Sequence, residues 1–295
     1  MKCGFVSLVG RPNVGKSSLL NSVLGMKLAI TSDVSGTTRN VIQGIYNDST
    51  SQIIFVDTPG IHKPNNKLGN LMNRKTYNTF GDVDVILFLI DISKGFGRGD
   101  QFILDKIKDK DIPIFLLLNK IDLVKNKEKL LSDINELKEK YDFKEIIPIS
   151  AKNNDNVDVL LNCIKNELDE SQKIFSDDEL TNVSTRFIIS EFVREKILEL
   201  THDEIPHTVT CYVENYEEKK DIVHVQVLIV VDRDNIKKII IGKNGSMLKE
   251  IGKRARIDIE NFLGKKVFLE TYVKSIKNWR DQEKYFQDLG LKDED

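Results

Sequence analysis

Residues 10–18 read GRPNVGKSS, set between the apolar run FVSLV (5–9) and SLLNSVLG (18–25), which has helical spacing. Glycine lets successive backbone N–H groups point inward around an anion with no side chain in the way. A helix beginning near Lys16 aims the positive end of its dipole at the same place. Gly10, Asn13, Val14, Gly15 and Ser18 then form the cradle. Lys16 neutralises β- and γ-phosphates, and the Ser17 hydroxyl ligates Mg²⁺.

A phosphate cradle alone does not choose a base. NKID (119–122) follows the apolar strand IPIFLLL and SAK (150–152) follows IIPI. The Asp122 carboxylate can accept from both N1–H and the 2-amino group of guanine, a donor pair that adenine lacks. Asn119 and Lys120 complete that loop, and Ser150, Ala151 and Lys152 form the next, where the Ala151 N–H can meet guanine O6. Each motif is weak alone; in this order, each after a strand, they specify guanine. In DTPG (57–60), Asp57 ends a strand and can hold Mg²⁺ through water, while Gly60 can offer its N–H to a γ-phosphate. In GTTRN (36–40), either Thr37 or Thr38 could ligate the metal.

The elements that must place these residues alternate along the first half. Apolar runs at 5–9, 53–56, 85–90, 113–118 and 146–149 predict strands, and 41–46 predicts an edge strand. Helices are expected at 16–23, 68–80, 100–108, 127–141 and 157–168. Continuous apolar strands separated by helices imply a mainly parallel, doubly wound α/β sheet covered on both faces, with ligands at the strands' carboxyl ends. The polar stretch DESQKIFSDDELTNVST (169–185) interrupts the pattern as a linker. Beyond it come a helix (186–200), two alternating strands, two helices flanking GKNG (242–245) and a last strand near 266–272, an α+β order. The expected domains are 1–170 and 186–285, joined by 171–185.

The whole chain of 295 residues carries a net charge of -2, which hides an asymmetry. Residues 161–221 hold 7 Lys+Arg against 15 Asp+Glu, whereas 233–284 hold 14 against 7, so a polyanion partner is expected for the C-terminal part. Three widely spaced cysteines fit a reducing, cytoplasmic setting rather than a disulfide or zinc framework. No signal segment and no membrane-length apolar run is seen, so a soluble chain is expected.

Over nearly its whole length the chain resembles the Era family of ribosome-assembly GTPases. The carrying residues are GRPNVGKSSLLN, GTTRN, DTPGIHKP, NKID, SAK, VREKILELTHDEIPH (193–207) and IIGKNGSMLKEIG (240–252). The resemblance implies a P-loop GTPase domain followed by a type II KH domain, binding GTP or GDP with Mg²⁺. It makes Thr38 the Mg²⁺ ligand beside Ser17 and Asp57, with Lys16, Asn13, Thr38 and Gly60 serving hydrolysis. Ile61 stands where many GTPases carry a water-orienting glutamine, so slow intrinsic hydrolysis is expected. Asn13 is expected to help bind K⁺ beside the phosphates, with carbonyls around 32–34 completing the cage.

The KH resemblance makes GKNG the loop that approaches an RNA backbone, with a groove for about four unpaired bases. Gly242, Lys243, Asn244 and Gly245 form the loop, Ile240 with Ile239 and Ile241 one wall, and Lys249, Lys253, Arg254 and Arg256 the electrostatic footprint. Asn244 stands where the family commonly has glycine. The resemblance further implies the 3′ end of 16S rRNA and the 30S subunit as partners, a monomeric state, and a peripheral contact with the inner face of the cell membrane. Two rival readings are a small-molecule P-loop kinase, opposed by NKID and the lack of a lid-like arginine cluster, and an RNA chaperone in which nucleotide is structural.

Overall fold

The computed structural model describes residues 1–32, 34, 37–60, 71, 72, 74, 76, 82–202 and 205–282. The first strand, β1 (Lys2–Gly10), is followed by α1 (Lys16–Leu24), then the hairpin β2 (Ile42–Asn47) and β3 (Ser51–Asp57). Next come β4 (Val85–Asp91), α2 (Arg98–Ile107), β5 (Ile114–Asn119), α3 (Lys127–Lys138), β6 (Glu145–Ile149) and α4 (Val157–Glu167). The six strands lie in the order β2-β3-β1-β4-β5-β6. Only the β2–β3 pair is antiparallel; the other four are parallel. Continuous apolar strands are what a sheet covered on both faces requires, and every residue of β4 is buried. Val9, Phe88, Ile90, Leu116 and Leu118 pack with Ile103, Leu104 and Ile107 of α2 and Leu137 of α3.

The strand order reverses at β1, which sits between β3 and β4. Such a switch point opens a crevice beyond the strands' carboxyl ends. Residues 10–18, Asp57, Asn119 and Ser150 all lie there, each at or just beyond a strand end.

Helix α3 stops at Lys138, short of the expected Tyr141. Tyr141 instead packs edge-on against Phe143, 5.1 Å between ring centroids, and its hydroxyl donates to Lys108 O. The helix expected at 68–80 lies mostly outside the described residues; Leu71, Met72, Arg74 and Thr76 are helical.

The polar stretch 169–185 makes defined contacts with the sheet. Cys3 N donates to Asp169 O, and the Gln52 side chain bonds Ile174 N, Phe175 N and Phe175 O. Farther on, Ile45 N donates to Leu180 O and Gln43 N to Asn182 Oδ1.

The second half builds α5 (Thr185–Leu200), β7 (Val209–Glu218), β8 (Ile222–Val231), α6 (Asp234–Ile241), α7 (Ser246–Leu263) and β9 (Lys266–Ser275). Strand β8 is central, antiparallel to β7 and parallel to β9. Its Val223, Val225, Val227 and Ile229 are buried, as are Ile188 and Phe192 of α5 and Ile251, Ala255 and Ile259 of α7.

Contacts divide the chain into two units. The described residues of 1–31, 41–64 and 72–182 form the first; those of 32–40, 65–71 and 183–295 form the second. The described residues of 32–40, between α1 and β2, therefore belong with the C-terminal elements.

Candidate active site and nucleic-acid interface

The phosphate loop is shaped by backbone constraints. Gly15, which precedes α1, has φ 101°, and a Cβ there would stand 2.1 Å from Asn119 Nδ2. Asn13 takes the left-handed conformation at φ 65°, which Asn tolerates better than most residues. Lys16 is buried, and its Nζ donates to Gly10 O at 3.2 Å and Arg11 O at 3.1 Å. Burial holds the Lys16 ammonium down to about 8, opposed by the charge of Asp57. Ser18 follows on the same turn of α1, partly buried.

The metal-ligand candidates on α1 and at the end of β3 meet. Ser17 Oγ donates to Asp57 Oδ2 at 2.6 Å, and Asp57 is fully buried at the end of β3. Its Oδ1 is buried without a hydrogen-bond partner among the described residues. Burial pushes Asp57 up to about 6, opposed by Lys16 and the Ser17 hydrogen bond. An unsatisfied buried carboxylate oxygen beside a hydroxyl is a donor set suited to a hard cation such as Mg²⁺. Gly60 lies against the phosphate loop: a Cβ there would stand 2.8 Å from Pro12 N. Thr38 is buried in the second unit, on the segment whose Thr37 Oγ1 donates to Val34 O at 2.6 Å. Ile61 and Asp33 lie outside the described residues.

The loops after β5 and β6 are tied to the loop after β1 by two side chains, Asn119 and Lys120. Asn119 Nδ2 donates to Val14 O at 2.7 Å, while its Oδ1 accepts from Ala151 N at 3.0 Å. Lys120 Nζ reaches Asn13 O and Asp91 Oδ2, both at 2.8 Å. Ser150 Oγ donates to Asp122 Oδ1 at 2.6 Å, which fixes the carboxylate while Asp122 stays exposed. Lys152 is exposed beside them. The loops after β1, β5 and β6 thus form one hydrogen-bonded framework.

Three residues of this framework escaped the reading by motif. Asp91 at the end of β4 holds Lys120. Fully buried Asp100 of α2 receives both Nε and Nη2 of Arg11 at 2.8 Å. Asn21 on α1 fixes the chain after the helix, its Oδ1 accepting from Leu28 N and Ala29 N at 2.9 Å. Only an acidic residue ending an apolar strand hints at the first.

At the second unit, α6 ends at Gly242, whose φ is 72° and whose Cβ would stand 2.8 Å from Met247 N. Asn244 adopts φ 52°, ψ 31°, so asparagine supplies the left-handed step that glycine would. Lys243 and Asn244 are exposed and Gly245 half-buried before α7 begins. The isoleucine wall needs correction. Ile240 is fully buried in the core and cannot line a groove, whereas Ile239 is 47% exposed. The period of α6 turns one inward and the other outward. Lys249 and Lys253, four residues apart on α7, are exposed and share a face. Arg254 pairs with Glu250 at 2.7 Å, which spends part of its charge locally. Trp279 is fully buried and donates Nε1 to Thr208 O at 2.8 Å, so it packs on its own unit.

The fold and these sites define a class: a P-loop GTPase domain followed by a KH domain. A family model described as a 50S ribosome-binding GTPase matches residues 5–120, and a KH-domain model matches 204–280. A crystal structure of an Era variant from Aquifex aeolicus bound to GDP and AlF4⁻ is 39% identical, with TM-score 0.95 and 99% of each chain covered. A structure of Era with MgGDPNP and nucleotides 1506–1542 of 16S ribosomal RNA matches with the same identity, coverage and TM-score. The chain belongs to the Era family of GTPases.

Proposed function

We propose that the chain is a GTP-binding and GTP-hydrolysing switch that binds the 3′ end of 16S rRNA and assists assembly and maturation of the 30S subunit. The observation that supports the nucleotide part of this reading is the Asn119 bridge between Val14 O and Ala151 N, which brings together the loops that bear Lys16 and Asp122. In this reading Gly10, Asn13, Val14, Gly15, Lys16, Ser17 and Ser18 surround the phosphates. Asn119, Lys120, Asp122, Ser150, Ala151 and Lys152 surround the base. Ser17, Asp57 and Thr38 would hold Mg²⁺, which neutralises charge between the β- and γ-phosphates when bound. Gly60 donates its N–H to the γ-phosphate.

The complex of a family member with the 16S rRNA 3′ end supports the RNA assignment. Gly242, Lys243, Asn244 and Gly245 face the RNA backbone, with Lys249, Lys253 and Arg254 beside them and Ile239 and Ile241, without buried Ile240, at the wall. A monomeric state and a cytoplasmic setting belong to the same reading. Among the described residues no helix is long and apolar enough to cross a membrane, and the membrane contact we propose is peripheral.

Calorimetry tests the site: GTP binds and ATP does not, and equal affinity for the two overturns the assignment. Potassium is tested separately. With Asn13 beside the phosphates, single-turnover hydrolysis runs faster in K⁺ than in Na⁺, and equal rates remove the K⁺ role.

A further inference from the structure

Thr38 is flanked on both sides by ties to the C-terminal elements. On one side, Arg194 of α5 donates Nη2 to Thr37 O, while its Nε and Nη2 grip both oxygens of Glu191. On the other, Arg39 donates Nη1 to Val209 O at 2.6 Å and Nη2 to Pro206 O at 3.3 Å. The Arg39 guanidinium carbon also lies 5.7 Å over the ring of buried Trp279. Arg39, Arg194 and Glu191 are all at least nine-tenths buried.

As a means of stabilising a fold this arrangement is poor. Arg39 has Glu191 as its one neighbouring carboxylate and shares it with Arg194, and Arg194 Nη1 has no hydrogen-bond partner among the described residues. Buried charge repays its desolvation only with full partnering, and a hydrophobic side chain would often serve as well. Burial, then the like charge of Arg194, hold Arg39 down to about 9. What guanidiniums add is directed binding of chosen backbone carbonyls, and the carbonyls bound are those next to Thr38 and those opening β7.

We propose that Arg39 and Arg194 are positioning residues that make the Thr37–Asn40 segment a working part of the RNA-binding unit, so that they carry the coupling between nucleotide state and RNA affinity. This rests on the GTPase reading, in which Thr38 must serve the metal in the triphosphate state. Whatever state favours that ligation also favours or strains the two ties, and by linkage RNA binding shifts nucleotide binding by the same factor.

The test measures affinity of the full chain for a labelled 16S 3′-end oligonucleotide, with Mg²⁺ and either GDPNP or GDP. The wild type is expected to bind RNA about tenfold more tightly with GDPNP. In Arg39→Gln that ratio is expected to fall to within about twofold of one, while GDP affinity and the RNA affinity with GDP change little. Arg39→Lys, which keeps the charge but cannot span both carbonyls, should keep part of the ratio and stands in if Arg39→Gln does not fold. A wild-type ratio in folded Arg39→Gln overturns the proposal alone, and so does an undiminished ratio in Arg39→Lys where Arg39→Gln does not fold. RNA binding lost equally in both nucleotide states overturns it too, since Arg39 is then simply structural. A wild-type ratio of one sinks the switch reading and takes this proposal with it.

Discussion

Lys16 sits between two demands. Its burial favours the neutral amine, with a pKa of about 8, while a triphosphate favours the ammonium. Bound phosphate raises the Lys16 pKa, so nucleotide binding takes up protons. The uptake is about half a proton near pH 8 and vanishes well below it, where the amine is already charged. Binding enthalpies in buffers of different ionisation enthalpy measure it. Lys16→Ala should abolish GTP binding and leave the circular dichroism spectrum intact. Asp122→Asn exchanges two acceptors for one acceptor and one donor, so it should prefer xanthosine triphosphate, with GTP affinity lower by about a thousandfold or more; competition binding reads this. The motif residues could be read from sequence because each acts within a few positions of its neighbours. Asp100 could not, since its partner Arg11 lies 89 residues away, and nothing local marks an aspartate that only the fold brings to the loop.

Among the elements, the strands were plain in the sequence because complete burial forces continuous apolar runs. Helix α5 was located but its surroundings were not. Glu191, Arg194, Glu195 and Lys196 are all buried, paired with one another, with Glu199 and with Asp258 of α7. Sequence patterning assigns charge to water and has no signal for charges that satisfy each other. The Ile240 misplacement has a similar origin, because three consecutive isoleucines give no period from which to choose the inward one. The GKNG turn allows a graded test. Asn244→Gly keeps the left-handed step and should hold RNA affinity within about twofold. Gly242→Ala places a Cβ 2.8 Å from Met247 N at φ 72° and should cost about 1–3 kcal/mol of stability, read by urea unfolding.

At the scale of the whole molecule, sequence order and spatial membership part company. The tract 32–40 reads as a loop of the first domain, yet its described residues belong with the second unit, held through Arg39 and Arg194. Two polar contacts at a separation of 157 to 170 residues leave no periodic trace. Trp279 anchors the same neighbourhood, and Trp279→Ala should lower stability by about 3–5 kcal/mol, beyond which Thr208 O loses its donor. Thermal unfolding at a single protein concentration measures that loss.

The tract 169–182 was easy to dismiss as a tether. Its pairing with Gln43 and Ile45 gives it a protective duty, because β2 is the outermost strand of its sheet. A fragment cut at residue 170 would lay those amides bare as a ready template for a second copy. Such a piece should self-associate as its concentration rises, while one extended through Asn182 should stay dispersed.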